Sequence, residues 1–487
     1  MKFSVGVAGD VTILPVLKDQ VPEGHEELLA FLKQEKLFCG AKGEVYADLG
    51  FRASKTIWVG LGEKGSVDAE SLKKSFFKVG KELSARKVQR ANIRLPKVPE
   101  ICYKRAAMAC VEGLVNSAYV FDKYVTDESK KEKNRCVLEE VTFDVLEGKE
   151  DKIREALAEI SGVMDGIGLT RELVEEPAEV MDPQMLARRA KEALEPLGVE
   201  VEIKGQKEIE ALGMTAFLAV ARGSSKEPQL IIMRWKGAPE TEDVVGLVGK
   251  GLTYDSGGYA IKPAAGMVTM HTDMGGAGSV IGAMAAIAGN KVHRNVTAVV
   301  AACENMISGG AYKNGDIIPT MSGKTIEVIN TDAEGRVTLA DSIFYTATKE
   351  NVSCLIDVAT LTGAVVVALG HHYVGAVTND AEMMSQVLRA AELGGDKIWE
   401  LPATEEYKEM VKGERSDLLN SVKGGAGSIT AGMFLEHFVN DKKWVHLDIA
   451  GTATNEANCK WLPKGATGIP VKTLYYFCKN ELDKHCC

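Results

Sequence analysis

The chain contains no run of about 18 apolar residues, the length a membrane-spanning helix needs. No membrane association is therefore expected. It has no C-x-x-C pair, and its ten cysteines are scattered. In a chain of this size that predicts reduced thiols in a cytoplasmic compartment, not a disulfide framework. The terminal "HCC" is expected to be a frayed tail. Positive charge is in deficit, with 58 Lys+Arg against 68 Asp+Glu and a net charge of −10. That argues against a nucleic-acid protein working through a basic surface. The opening "MKFSVGVAGDVTILPVL" meets Asp10 and Pro15 before a signal-like core forms, so it reads as a first strand and a turn. H-E-x-x-H is absent, which excludes the zincin pattern, and so is G-x-S-x-G, which excludes a serine hydrolase elbow. "SGKT" (322–325) ends like a P-loop, but Ile318 stands where glycine is required, so it reads as a turn.

What is present is a globular composition, 45% hydrophobic and 26% charged, in 487 residues. That length predicts two domains. In the first 150 residues, "KTIWVGLG" (55–62) and "VTFDVL" (141–146) are strand-like, and residues 68–85 form a helix that Asp68 caps. "SARKVQRANIRLPK" (84–97), the one basic stretch, reads as a solvated helix-to-strand connection. A charged helix over 147–166 marks the boundary, and the next helix starts with Asp182 as N-cap and Pro183 in its first turn. Beyond residue 200, β-branched runs such as "QLIIMRW", "DVVGLVG", "NVTAVVAAC", "TIEVI", "VSCLIDVATL" and "WVHLDIAG" alternate with amphipathic helices. The expected class is α/β. A smaller N-terminal α/β domain (1–150, with an oligomer or regulatory role) precedes a linker helix (151–170). A larger C-terminal domain (171–487) follows, with a mixed, largely parallel sheet covered by helices.

Three strand-to-helix junctions carry unusual polar residues. "INTDAEGRVTLADS" (329–342) places Asp332, Glu334 and Arg336 at alternate positions, separated by Ala333 and Gly335. If the segment is extended, all three share a face at the carboxyl end of a strand, where open α/β sheets bind ligands. Alone, D-x-E-x-R is an ordinary surface charge pattern. "GLVGKGLTYDSGGYAIKP" adds Lys250, Asp255 and Lys262, and "MHTDMGGAGSVIGAM" adds Asp273. Clustered carboxylates repel unless cations lie between them, and that is the arrangement of a two-metal site. His271, close to Asp273, reads as a packing residue, and Cys303 as buried core.

From about residue 150 onward, these segments resemble the leucyl aminopeptidases, the M17 metallopeptidases. "NTDAEGR" is the signature, and "VGKGLTYDSGG", "IKP", "TDMGGAGSV", "CENMISGGAYKNGDI", "ATLTGA" and "HLDIAG" accompany it. The resemblance implies hydrolysis of N-terminal peptide bonds, with leucine or other apolar residues preferred, through a water bridging two divalent metals. Asp255, Asp332 and Glu334 would bind one ion, and Lys250, Asp255, Asp273 and Glu334 the other. The ions would be Mn²⁺ or Zn²⁺, with Co²⁺ and Mg²⁺ also compatible. Lys262 would stabilise the oxyanion, and Arg336 would hold a bicarbonate that relays the proton. The side-chain pocket maps to Met270, Thr360, Gly363, Ala450 and Ala453. Peptides would be the substrates and a homohexamer, a dimer of trimers, the assembly. Glu179 departs from the family's usual Asn. Two other readings stand beside this one: a dinuclear phosphoesterase, and a non-catalytic scaffold or DNA-binding protein on the same fold.

Overall fold

Alternation of apolar β-branched runs with amphipathic segments builds two main sheets, one in each unit. The computed structural model of the chain describes residues 1–20, 22, 24–50, 55–456 and 459–480; the "HCC" tail lies outside them. One unit comprises residues 1–164 with 459–464, the other residues 165–456 with 465–480.

The first unit holds β1 (Lys2–Val5), β2 (Val11–Val16), β3 (Val45–Asp48), β4 (Thr56–Gly60), β5 (Arg90–Arg94) and β6 (Glu140–Asp144), in the order β1-β6-β5-β2-β4-β3. Neighbours are parallel except β3, which runs antiparallel to β4. The opening residues thus supply two strands where one was expected. The chain turns after β1 at the sheet edge and re-enters beside β5 as β2. Helix Ala69–Ala85 forms as expected: Asp68 accepts the Ser71 amide at 2.6 Å and Ser71 Oγ accepts the Asp68 amide at 3.0 Å, a capping box. A buried ion pair, Lys73–Glu112 at 3.1 Å, joins this helix to Tyr103–Ala118. The helix expected over 147–166 is longer, Glu150–Glu175, and the division between units falls within it. Pro183–Leu194 starts as expected, with the Asp182 carboxylate accepting the Met185 amide at 2.8 Å.

The second unit adds β7 (Glu200–Lys204), β8 (Gln229–Lys236), β9 (Val244–Asp255), β10 (Asn295–Asn305), β11 (Ile317–Pro319), β12 (Thr325–Glu327), β13 (Cys354–Ala359), β14 (Val374–Thr378), β15 (Ile398–Glu400), β16 (Leu418–Leu419) and β17 (Lys443–Asp448). Eight of them form a sheet in the order β15-β14-β17-β13-β9-β10-β8-β7. Its centre, β17-β13-β9-β10, is parallel, and antiparallel pairs join β8 and β14 on either side. β9, β10 and β13 are buried almost throughout, because helices including Gly275–Gly289 and Gly335–Lys349 pack on this centre. "TIEVI" departs from expectation: only Thr325–Glu327 is a strand, and it belongs to a separate sheet, β11-β12-β16. Its partner is set by the tight turn at 320–324, where "SGKT" was read as a turn: Thr320 and Lys324 bond across it at 2.9 Å.

Among the described residues, Cys39, Cys110, Cys136, Cys303, Cys354, Cys459 and Cys478 are free thiols, while Cys102 is disulfide-bonded. No helix among these residues is long and apolar enough to cross a membrane.

Candidate metal centre

β9 carries Lys250 along its length and ends at Asp255. Asp273 lies in a short 3-10 helix, Met270–Met274, that leads into Gly275–Gly289. Asp332 and Glu334 precede helix Gly335–Lys349, with Glu334 at its N-cap. The end of β9 and the two segments that lead into helices Gly275–Gly289 and Gly335–Lys349 therefore converge, although Asp273 follows a short helix and not a strand as the sequence had suggested. Carboxylate oxygens of Asp255, Asp273 and Glu334 all lie within 4.8 Å of one another, and all three residues are buried. Lys250 Nζ sits 2.8 Å from Asp273 and 2.9 Å from Glu334. Lys262 Nζ bridges Asp255, at 2.7 Å, and Asp332.

The 332–336 stretch is not extended, as the alternation had suggested. The Asp332 amide donates to Asn330 Oδ1 at 2.9 Å, the Ala333 amide closes a turn on Asn330 O, and Glu334 already has helical angles (φ −78°, ψ −35°). Asn420 clamps this turn from a distant loop: its Oδ1 accepts the amides of Ile329 and Asn330, and its Nδ2 donates to the carbonyls of Asn330 (2.6 Å) and Ala333 (3.2 Å). Gly335 has a steric reason, since a Cβ there would come within 2.4 Å of Lys250 Cε. Gly257 has a conformational one, at φ +85° in the loop after Asp255, where a Cβ would also meet Asp332 Oδ1 at 2.8 Å.

Four carboxylates face two ammonium groups here, and the charges show the imbalance. Burial, reinforced by Asp255, raises the proton affinity of Asp273 and Glu334 well above the carboxylate range. Burial also raises Asp332. Burial works to neutralise Lys250, but Asp273, Glu334 and Asp255 outweigh it and hold its proton tightly. Asp255 and Asp332 do the same for Lys262 against its burial. Asp273 Oδ2 lies beside Lys250 yet accepts no well-directed hydrogen bond. An excess of buried carboxylate oxygens, one of them unsatisfied, fits divalent cations with a preference for oxygen ligands. Ligation by Lys250 would require its proton to leave, which an adjacent dication enforces.

Arg336 stands apart from this cluster. Its Nε is shut from solvent without a partner, and it forms no ion pair among the described residues. Burial pushes its pKa down to about 10, against the pull of Glu334 and Asp448, so it stays charged at neutral pH.

Of the five pocket residues, Thr360 and Ala453 converge: a Cβ on Gly275 would touch both. Thr360 is also tied to the cluster, with Oγ1 donating to Asp273 at 2.8 Å and its carbonyl accepting Lys250 Nζ at 2.9 Å. Met270 is half-buried in the turn that carries Asp273, and the Ala450 amide donates to Asp448. Gly363 is exposed at the start of helix Gly363–Leu369, with open space around it. Glu179 is exposed on the surface.

Sequence reasoning did not single out Asn305, Thr331 or Asn420. Asn305 Nδ2 donates to Asp255 at 2.7 Å and to the Thr331 carbonyl at 3.0 Å; Thr331 Oγ1 donates to the Gly257 carbonyl at 2.8 Å. These neutral residues orient the acids, and a lone Asn or Thr in a loop carries no signal of that. Cys303 is buried core, as expected.

Comparison with known proteins places this geometry. The family model described as "Cytosol aminopeptidase family, catalytic domain" matches residues 168–475, and that of the family's N-terminal domain matches residues 5–128. A protein of Clostridium tetani named "Probable cytosol aminopeptidase" is 50% identical over 485 residues, covering 99% of this chain and all of its own length. One of the same name from Treponema denticola is 46% identical over 483 residues, with the same coverage. Among solved structures, a mutant of tomato leucine aminopeptidase aligns with TM-score 0.86 at 31% identity, over 98% of this chain and 97% of that one. The bottromycin maturation enzyme BotP in complex with Mn aligns with TM-score 0.88 at 29% identity, over 98% and 100%.

Proposed function

The chain belongs to the cytosol aminopeptidase family and is a metal-dependent aminopeptidase; from that premise we propose how its own residues divide the work. The observation that carries the reading is the buried set of Asp255, Asp273 and Glu334 within 4.8 Å, faced by Lys250 and Lys262. Asp255, Asp332 and Glu334 would hold one divalent ion and Lys250, Asp255, Asp273 and Glu334 a second. Mn²⁺ or Zn²⁺ are the first choices, with Co²⁺ and Mg²⁺ as others. When bound, such ions supply Lewis acidity, polarising a carbonyl and making water more acidic.

The protein's own groups do the rest. Lys262 keeps its proton, so its ammonium can stabilise the oxyanion that develops when a peptide carbonyl is attacked. Each of the four clustered carboxylates is assigned to a metal ion in this reading, which leaves none as the base. Arg336, a charged guanidinium with an unsatisfied Nε, can hold an oxyanion such as bicarbonate to move the proton. Met270, Thr360, Gly363, Ala450 and Ala453 would receive the N-terminal side chain, and the small residues among them suit leucine and other apolar groups. Residues 1–150 are assigned an oligomer or regulatory role, residues 151–170 the linker, and residues 171–487 the chemistry. The active form is proposed as a cytoplasmic homohexamer, a dimer of trimers.

The test is to strip the protein with chelator and add back Mn²⁺, Zn²⁺ or Co²⁺ singly, assaying leucine p-nitroanilide and a phosphate ester in parallel. Metal-restored amide hydrolysis with the ester untouched is expected. Ester turnover would favour the phosphoesterase reading, and no turnover with any ion the scaffold reading.

A further inference from the structure

Strands β13 and β17 carry a set of buried charges that the mechanism above does not use. The parallel register of β13 and β17 places Asp357 opposite His446 and Ala359 opposite Asp448. The Asp357 carboxylate is fully buried and engaged at both oxygens, by His446 Nδ1 at 2.6 Å and by Trp444 Nε1 at 2.6 Å. Asp448, also buried, accepts the Leu361 amide (3.1 Å), Thr362 Oγ1 (2.6 Å) and the Ala450 amide (3.2 Å). Among the described residues, neither acid has a lysine or arginine within ion-pair distance. A carboxylate buried without a counter-charge is costly. The groups that can supply one are His446, between the two acids in the strand register, and Arg336. His446 Nε2 is itself buried without a hydrogen-bond partner, as is Arg336 Nε.

We propose that His446, oriented by Asp357, is a positioning residue: as an imidazolium it offsets the charge of Asp448 and so leaves the Arg336 guanidinium free for an external anion. The proposal rests on the reading of Arg336 as an anion holder. Two acids, Asp357 and Asp448, then face two cations, His446 and Arg336, and the guanidinium keeps capacity for a ligand. With His446 neutral, the charge of Asp448 is no longer offset and weakens the pull of the guanidinium on that ligand. The field around His446 is consistent with this. Burial lowers its proton affinity, but Asp357 and Asp448 outweigh burial and the opposing charge of Arg336, holding its pKa above the ordinary value.

The test uses metal-loaded protein in CO₂-depleted buffer, measuring kcat and KM on leucine p-nitroanilide against added bicarbonate. In His446→Gln the bicarbonate needed for half-maximal kcat should rise roughly tenfold, the scale of a typical site-to-site coupling. The plateau kcat should recover at high bicarbonate, and KM for the amide should stay unchanged. Asp357→Asn, which removes the carboxylate that orients the ring, should shift the same way by less. It carries the test if His446→Gln does not fold. Unchanged half-saturation in the variants, whatever their stability or maximal rate, overturns the proposal and leaves His446 a packing residue. A wild-type rate indifferent to bicarbonate overturns the anion reading of Arg336, and this inference with it.

Discussion

Both units are built on largely parallel sheets, yet they treat buried polarity in opposite ways. In the N-terminal unit, the buried charges and amides that can be traced are met by other groups of the protein. Asn92 Nδ2 is shared between the Gly6 carbonyl and Thr142 Oγ1, and Lys73 meets Glu112 in a buried ion pair. In the catalytic unit, the end of β9 and two helix-leading segments bring four carboxylates against two ammonium groups, and burial leaves that excess costly. A closed polar pair stabilises a fold without offering anything to a ligand, whereas an unbalanced cluster can be completed only from outside. The same architecture therefore supports structure in one place and chemistry in the other.

The contrast breaks most sharply by exchanging one oxygen for nitrogen in each unit. Asp332→Asn should lower kcat on leucine p-nitroanilide by roughly a thousandfold or more, with reduced metal content by mass spectrometry, because the proposed role of its carboxylate as a charged ligand to a Lewis acid is lost. Glu112→Gln should leave kcat unchanged but lower unfolding free energy by about 3 kcal/mol in urea titration, since it removes the opposite charge that this pair places beside a buried ammonium. If Glu112→Gln instead affects the rate as strongly as stability, the division of labour fails.

A smaller effect tests how neutral residues serve the charged cluster. Asn420→Ala removes the clamp on the Asn330 and Ala333 carbonyls and should cost about 1–3 kcal/mol of stability. It should also weaken metal binding, read as a higher metal concentration for half-maximal activity. Unaltered metal dependence would make the clamp purely structural.

The smallest effect concerns a buried acid in the catalytic unit that lies outside the cluster. Asp341 is settled in the manner of the N-terminal unit, accepting the amides of Met321 (2.8 Å) and Phe217 (3.0 Å), while burial pushes its pKa up to about 7. The folded state thus binds a proton that the unfolded state has released between about pH 4 and pH 7, so this group's contribution to stability falls as pH rises through that window. Asp341→Asn should flatten that part of a melting-temperature profile; an unchanged slope would show that the carboxyl ionises without cost.

Sequence alone made the charged half of the site legible, because acids and lysines crowded by glycine at the ends of apolar strands are unusual. It misjudged the backbone of 332–336. Alternation suggested a strand face, but the turn is dictated by Asn420, and a contact across some ninety residues leaves no local trace. "TIEVI" had strand propensity, yet propensity does not say which sheet a strand joins, and its partners proved to be β11 and β16. The pairing of Asp357 with His446 depends on the register between two strands, which neither strand's sequence encodes by itself.

The narrow passage of Lys250 beside Gly335 has a consequence for how the protein matures. That approach exists only once helix Gly335–Lys349 has docked on β9, and the acids it gathers are spread from position 255 to position 334. The disordered chain offers cations no preformed cage, and the entropy of collecting the ligands is borne by the hydrophobic collapse of the whole catalytic unit. Metal capture at the proposed site therefore has to follow that docking, and by mass action an ion bound selectively to the native state would deepen the folded well.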